Sequence, residues 1–298
     1  MTLAATRLKI RKLHPAIGAE VTGVDLGRPL DRESAAEIHD AWMRHHVLVF
    51  PEQPISDEQH VAFSRNFADL ELFPQKDNRS GHLPEIFRVA NTDEAGRLLA
   101  PNSETWRYLS LVEYWHTDSS YRPIPSMGAI LHGLDVPEEG GNTLFANLLS
   151  AGEALPPALR ARVAGRVGVF SYEVTRARAA GTVRELTEQE KRDTKTVTHS
   201  LLRRHPDRDE RVSLYLSPLN VAGIVGMADH EADALVKELT DWATQERFVY
   251  RHRWQADDIV MWDNRVTMHQ VMPYDRGRER RVMHRTALAG TQPVLPPA

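Results

Sequence analysis

The sequence contains no cysteine. Disulfide bonds, thiolate nucleophiles and metal sites built from thiolates are therefore excluded. The absence is compatible with a reducing compartment, and we expect a cytoplasmic protein. With 298 residues, of which 41% are hydrophobic, the chain is long enough to be stabilised by a packed core alone.

The sequence also lacks long apolar segments and a strong net charge. No apolar run approaches the length needed to span a membrane. At the N-terminus the basic residues follow a short apolar stretch, whereas in a secretory signal they precede a long one. The net charge of −4 disfavours a protein that binds nucleic acid mainly by electrostatics. We therefore expect a small-molecule partner, with no nucleic acid and no membrane.

Short strands separated by turns dominate the predicted secondary structure. Strands are predicted at 8–24 (two strands around a turn), 47–50, 86–91, 128–134, 143–146, 168–173, 196–202, 211–217, 247–253, 258–263 and 280–290. Helices are predicted at 32–46, 56–67, 148–164, 187–194 and 228–244. Ser56 and Gln59 have the spacing of a capping box at the start of the second helix. Many short strands with few long helices favour a β-sandwich or barrel flanked by helices, and we expect one domain spanning residues 1–298.

Residues 174–195 form the most polar stretch of the chain. Runs of charged residues are usually solvated surface, and polar loops that interrupt a compact domain often carry functional roles. We therefore predict that residues 174–195 form a surface insertion or a lid.

Two histidines and one aspartate have the spacing of a metal site. In an extended segment residues i and i+2 project to the same side, so His116 and Asp118 can face one metal while Thr117 points away. His269 would then come from a distant strand, because inward-facing side chains of a β-sandwich converge. Two imidazoles and one carboxylate match the facial triad that binds Fe(II) in non-heme oxygenases. A chance arrangement among fourteen histidines, with purely structural roles, is the alternative.

Several further motifs occur in a fixed order around these three residues. They are 18–26 (GAEVTGVDL), 47–50 (VLVF), 115–120 (WHTDSS), 140–143 (GGNT), 262–269 (WDNRVTMH) and 280–285 (RRVMHR). Together they resemble the Fe(II)/2-oxoglutarate dioxygenases of the taurine dioxygenase and aryloxyacetate dioxygenase family, over nearly the whole chain. The resemblance implies a mainly β fold with flanking helices, the double-stranded β-helix or jelly roll. It also implies Fe(II) as metal, and 2-oxoglutarate and O2 as co-substrates.

The resemblance assigns roles to individual residues. His116, Asp118 and His269 would be the catalytic iron ligands. Arg281, helped by the hydroxyl of Thr143, would bind the distal carboxylate of 2-oxoglutarate. This role suits a guanidinium, which can bind a carboxylate through two parallel charge-assisted hydrogen bonds.

The alternation of side chains along the last strand supports an inward position for two arginines. Arg281, Met283 and Arg285 share one face of an extended segment. An inward-facing cation requires an anion. A surface position is the alternative for Arg281, because the neighbouring sequence is rich in arginine.

The resemblance implies that Arg285 anchors an anionic group of the substrate, and an internal salt bridge is the alternative. Taurine dioxygenases carry a substrate-contacting histidine where this chain has Phe73, and Val112 and Tyr114 stand where taurine would require a polar asparagine. An apolar wall with one arginine suits an aromatic or alkyl carboxylate. We therefore expect hydroxylation and ether cleavage of an aryloxyalkanoate, with succinate and CO2 as co-products. An alkyl sulfonate is the alternative substrate.

The alternative to an enzyme is a non-catalytic jelly-roll protein, which would sense a ligand and hold a structural metal. Structural sites usually fill their coordination shell, whereas two histidines and one aspartate leave positions open.

Asp263 and Asn264 either support the metal ligands or hold a turn before His269. Family members are often homo-oligomers, but no apolar stripe in the sequence identifies an interface.

Overall fold

The computed structural model describes residues 8–72, 80, 82–101, 103–179, 185–205 and 208–297. Its strands are β1 Lys9–Lys12, β2 Ala19–Thr22, β3 Val47–Phe50, β4 Phe87–Ala90, β5 Gly128–Asp135, β6 Thr143–Asn147, β7 Val167–Phe170, β8 Val197–Ser200, β9 Leu202–His205, β10 Arg208–Leu214, β11 Val221–Ile224, β12 Val249–His252, β13 Ile259–Asp263, β14 Thr267–Val271 and β15 Val282–Leu288. Its α-helices are α1 Arg32–His45, α2 Asp57–Ser64, α3 Glu104–Tyr108, α4 Leu148–Glu153, α5 Pro157–Val163, α6 Tyr172–Ala177, α7 Glu188–Asp193 and α8 Asp229–Ala243. Short 3-10 helices cover Leu109–Glu113 and Glu246–Phe248. Within these ranges, none of the helices has both the length and the apolar character needed to cross a membrane.

The main sheet has seven strands in the order β1-β2-β3-β13-β5-β15-β4. All neighbours are antiparallel except β2 and β3. A smaller sheet of β12, β6 and β14 contains the C-terminal metal-site motif. Two further sheets are described: β11-β7-β8 has three strands, and β10-β9 has two.

The two sheets pack against each other through an apolar interior. Phe145 of β6 contacts Trp262 of β13, with ring centroids 5.6 Å apart. Both side chains belong to a buried cluster with Val47, Leu131 and Met283 of the main sheet. The double-stranded β-helix expected from the resemblance is confirmed: two facing sheets enclose the side chains that point inward.

The outer faces of both sheets are covered by helices. Trp42 of α1 and Phe63 of α2 pack with Ile130 and Met261 on the outside of the main sheet. On the smaller sheet, the outer face packs against α4 and α8, among other elements. Because the central strands are buried on both faces, segments such as 47–50 and 259–262 are continuously apolar.

Most predicted elements are present, and the differences have local causes. The capping box of α2 is confirmed, with both Ser56 and Gln59 hydrogen bonds formed. The single helix predicted at 148–164 is wrong: it is split into α4 and α5 at Pro156, because proline lacks the N–H that a helix interior needs. The strand predicted at 168–173 ends at Phe170, where α6 soon begins.

Candidate active site

The two histidines of the predicted triad lie on directly paired backbone segments. The amides and carbonyls of His116 and His269 exchange two hydrogen bonds, of 3.0 and 2.8 Å. Their rings lie side by side, with centroids 4.1 Å apart. Asp118 follows in a turn, and each of its carboxylate oxygens lies 3.9 Å from the Nε2 atom of one histidine. The structure thus brings all three buried side chains together, with their ligand atoms within 4.8 Å of one another.

Thr117 points away from this group, as the alternation predicts. Its hydroxyl donates to the carbonyls of Leu216 (2.8 Å) and Thr267 (3.0 Å), and its amide donates to Ser217. These bonds tie the metal-site segment to β14 and to the segment after β10. His116 and Asp118 are therefore held in place by the residue between them.

The protonation states of the triad suit a metal. Burial lowers the pKa of both His116 and His269, which keeps the imidazoles neutral near neutral pH. Burial alone would raise the pKa of Asp118, but Arg285 and the two histidines outweigh it and lower the pKa to about 2. The site therefore offers two neutral imidazoles and one carboxylate.

The unused hydrogen-bonding atoms of the triad also fit an ion. Nδ1 of His116 is bonded to the carbonyl of Tyr114 at 2.8 Å, so the ring is oriented with Nε2 toward Asp118. Oδ2 of Asp118 is buried and has no hydrogen-bond partner among the described residues. A buried carboxylate oxygen facing two imidazoles is costly unless a cation joins them.

Asp263 holds the turn before His269, one of the two roles predicted for it. It accepts hydrogen bonds from the amide and guanidinium of Arg265 and is bonded to Nε2 of His205. The hydroxyl of Thr267 donates to its carbonyl at 2.7 Å. Burial opposes ionisation of Asp263, but Arg265 outweighs it and holds the pKa well below its usual range. The turn between β13 and β14 is thus fixed by a buried ion pair.

Arg281 is a buried cation without a carboxylate partner among the described residues. It is 2% exposed, and burial lowers its pKa to about 10. Its Nε donates to the carbonyl of Gly141 at 3.2 Å, while Nη2 is buried without a partner. The amide of Arg281 donates to Asn91, which fixes the start of β15. Such a site calls for an anionic ligand.

Thr143 is the first residue of β6. It follows two residues after Gly141, whose carbonyl accepts the hydrogen bond from Arg281. The Thr143 hydroxyl is buried and accepts a hydrogen bond from Nε1 of Trp254 at 2.9 Å, so its own proton can be donated to a ligand. The Gly140-Gly141 turn has positive φ at both residues, which favours glycine there.

Arg285 faces the triad from β15. Its Nη1 donates to Oδ1 of Asp118 at 2.6 Å, and its guanidinium lies over the ring of Phe87, 4.9 Å from the centroid. The structure therefore contains the internal salt bridge that was the alternative for Arg285. Its Nε atom is buried and has no partner in the described part of the chain, so a donor is left for an anion. The next residues along the strand, His284 and Thr286, face α2 instead.

A pocket of roughly 570 Å³, including its open mouth, leads to the triad. Its apolar walls come from five side chains: Phe87, Val89, Leu111, Val112 and Leu219. Its polar wall includes Tyr108, Tyr121, Tyr172, Thr175 and Asn220. An apolar slot with a few polar groups and a metal-type triad at one side is the usual form of a small-molecule site.

The other predicted substrate residues fall in different places. Val112 lines the pocket, whereas the side chain of Tyr114 is 44% exposed and Tyr114 approaches the site through its carbonyl. Phe73 lies outside the described residues. In the predicted insertion 174–195, Thr175 lines the pocket and α7 follows at Glu188–Asp193.

Sequence reasoning missed most of the pocket wall. Phe87 and Val89 lie two residues apart on β4, so their side chains share one face of the strand. Their place in the pocket follows from the pairing of β4 with β15, the strand that carries Arg285. Tyr108 and Tyr172 lie on short helices that the strand-dominated prediction left out. Asn91, which fixes Arg281, follows β4 with no distinctive motif.

Comparisons with known proteins agree with this geometry. The chain matches the family described as "Taurine catabolism dioxygenase TauD, TfdA family" over residues 9–287. It is 32% identical over 293 residues to the (S)-phenoxypropionate/alpha-ketoglutarate-dioxygenase of Delftia acidovorans, with 96% of each chain covered. It is 32% identical over 290 residues to the alkylsulfatase of Acinetobacter baylyi, covering 95% of this chain and 86% of that protein. A crystal structure of AAD-2 in complex with Mn(II) and N-oxalylglycine matches with a TM-score of 0.86 and 37% identity, covering 97% and 99% of the two chains.

Proposed function

This chain belongs to the taurine catabolism dioxygenase (TauD, TfdA) family and is an Fe(II)- and 2-oxoglutarate-dependent dioxygenase, and from this premise we propose that it hydroxylates an aryloxyalkanoate. The observation that carries the proposal is the pocket. It offers an apolar slot beside the triad, with Arg285 as the arginine that faces it among the described lining residues. An apolar slot suits an aromatic ring, and an arginine suits a carboxylate.

The proposed roles follow from the contacts of each residue. His116, Asp118 and His269 hold Fe(II), and Arg281 binds the distal carboxylate of 2-oxoglutarate with help from the Thr143 hydroxyl. With the metal, 2-oxoglutarate and O2 bound, the site supplies the oxidising power for C–H hydroxylation, with succinate and CO2 as co-products. The chain contributes orientation, charge complementarity and a pocket from which water is excluded.

Arg285 determines which carbon of the substrate lies next to the metal site. Its guanidinium reaches Asp118 at 2.6 Å, so a carboxylate held by the remaining donors would lie next to the triad. In a 2-aryloxyalkanoate such as phenoxyacetate, the carbon beside the carboxylate also carries the ether oxygen. Hydroxylation there gives a hemiacetal-type product, which breaks down to a phenol and a carbonyl compound.

The test is product analysis with matched acids. Phenoxyacetate should release phenol and succinate in equal amounts, and Arg285→Met should raise the KM for phenoxyacetate because the anchoring charge is lost. An alkyl sulfonate or sulfate ester is the second candidate, favoured by the relative named alkylsulfatase. Fast release of sulfite or sulfate, with no phenol from phenoxyacetate, would reverse the order of the two candidates.

Three further expectations stay proposals. We propose that the enzyme acts in the cytoplasm, which the lack of cysteine favours. We propose that residues 174–195, of which 180–184 lie outside the described residues, form a surface insertion or a lid, and the position of Thr175 in the pocket wall supports this. We also propose that the chain forms one domain and a homo-oligomer, as expected from the family.

A further inference from the structure

A second buried arginine lies near the pocket, away from the metal ligands. Arg176 of α6 is 8% exposed, and its Nη2 is buried without a hydrogen-bond partner among the described residues. In the part of the chain that is described, no ion pair involves this side chain. A cation held in this way lowers stability unless a ligand compensates.

The helix that carries Arg176 turns one face toward the pocket. Tyr172, Thr175 and Arg176 are the buried residues of α6, and positions i, i+3 and i+4 share one side of a helix. Tyr172 and Thr175 line the pocket. The Arg176 side chain therefore belongs to the same buried face as two residues of the pocket wall.

Two phenol hydroxyls continue this polar face. The hydroxyls of Tyr108 and Tyr172 are 3.3 Å apart and hydrogen bonded. Burial raises the pKa of both phenols, so they remain neutral. One proton lies in the bond between them, so the pair can donate at most one further proton to an acceptor. Both residues line the pocket.

Arg285 marks the triad end of the pocket, because its Nη1 donates a hydrogen bond to Asp118 at 2.6 Å. Arg176 instead belongs to α6, on the helix face that carries Tyr172. Burial raises the pKa of Tyr108 and Tyr172, and Arg176 opposes this shift in both phenols. The Arg176 guanidinium therefore acts electrostatically on the two hydroxyls.

We propose that Arg176, with the hydroxyls of Tyr108 and Tyr172, forms a second polar subsite that accepts an anionic group at the end of the substrate remote from the oxidised carbon. The inference rests on the proposed function, in which Arg285 holds the carboxylate next to the triad and the aryl ring fills the apolar slot. The favoured substrates are aryloxyalkanoates with a carboxylate on the ring. Arg285 and Arg176 then bind the two ends of one dianion.

The experiment compares 4-carboxyphenoxyacetate with phenoxyacetate. We expect kcat/KM of the native enzyme to favour the ring carboxylate by roughly tenfold, the factor that corresponds to about 1.4 kcal/mol. Arg176→Met should bring the ratio close to one, because the charge that binds the ring carboxylate is lost, and Arg176→Lys should restore part of the preference. Arg162→Met is the matched control, since Arg162 pairs with Glu238 on the surface.

A second variant and a binding measurement cover the case in which Arg176→Met does not fold. Tyr172→Phe removes one hydroxyl of the subsite with little change in volume, and it should weaken binding of 4-carboxyphenoxyacetate more than that of phenoxyacetate. Binding is followed anaerobically from the visible absorption of the enzyme with Fe(II) and 2-oxoglutarate. Equal kcat/KM values for the two acids in every variant overturn the subsite and leave the proposed function intact. Oxidation of neither acid, with an alkyl sulfonate or sulfate oxidised instead, overturns both.

Discussion

Arg281, the residue proposed to bind 2-oxoglutarate, is buried with one donor that has no partner among the described residues. A buried cation in this state costs free energy until an anion binds. Arg281→Met should therefore raise the midpoint of thermal unfolding of the ligand-free protein, or leave it unchanged. The same variant should bind 2-oxoglutarate at least tenfold more weakly, because charge-assisted hydrogen bonds are worth about 1.5–3 kcal/mol.

The two parts of this prediction are measured separately. Calorimetric unfolding without ligands gives the stability, and anaerobic titration with Fe(II) and 2-oxoglutarate gives the affinity. Arg280→Met is the control, because Arg280 pairs with Asp135 in a more exposed position. A variant that loses stability and keeps its affinity would show that Arg281 is structural.

His60 is a residue whose burial makes the fold sensitive to acid. It is fully buried beside His132, and burial lowers its pKa to about 3. The unfolded chain gains a proton on this histidine below about pH 6.5, whereas the folded chain stays neutral down to about pH 3. Between these values the free energy of unfolding must fall as the pH falls, by up to about 1.4 kcal/mol per pH unit. Asp57, His132 and His284 also face this group.

The measurement is urea unfolding of the native protein and His60→Gln between pH 7 and pH 4.5. Glutamine can keep a bond to Thr286, which His60 contacts at 3.4 Å. The variant should lose stability less steeply than the native protein as the pH falls. Parallel curves would mean that another group determines the acid sensitivity.

At the scale of elements, the sequence predicted those helices whose formation depends mainly on nearby residues. The periodicity of residues 32–46 and the capping box at Ser56 identified α1 and α2, because both depend on nearby residues. The paired prolines 156–157 carried a signal for the break between α4 and α5 that the prediction did not use. Short elements such as α3 have too few residues to show a period, so their position depends on packing.

The closeness of α1 to the main sheet depends on one glycine. A Cβ added at Gly128, the first residue of β5, would lie 2.5 Å from Trp42 of α1 and 2.6 Å from the carbonyl oxygen of Trp262. Gly128→Ala should therefore lower the free energy of unfolding by about 1–3 kcal/mol, the usual cost of overpacking a core. Gly277→Ala is the control, since its added methyl would lie 3.4 Å from Asp275. Equal unfolding midpoints in urea for the two variants would contradict this account.

At the scale of the whole molecule, the triad could be predicted and the pocket could not. His116 and Asp118 are neighbours in sequence, and the motif around His269 is distinctive, so family resemblance was enough to identify them. The pocket wall is assembled from β4, α3, α6 and the segment before β11, whose meeting depends on long-range packing. No motif marks Arg176, and only its burial on α6 reveals it.

The whole fold should survive removal of the metal. Separate buried clusters between the sheets and under the helices stabilise the molecule, whereas the triad is held by the backbone pairing of His116 with His269 and by the Asp118–Arg285 ion pair. After treatment with EDTA we therefore expect a cooperative thermal transition. Fe(II) at a hundred times its dissociation constant should add about 2.7 kcal/mol, seen as a rise of several degrees in the midpoint. Loss of the cooperative transition on chelation would instead show that the metal is needed to stabilise the fold.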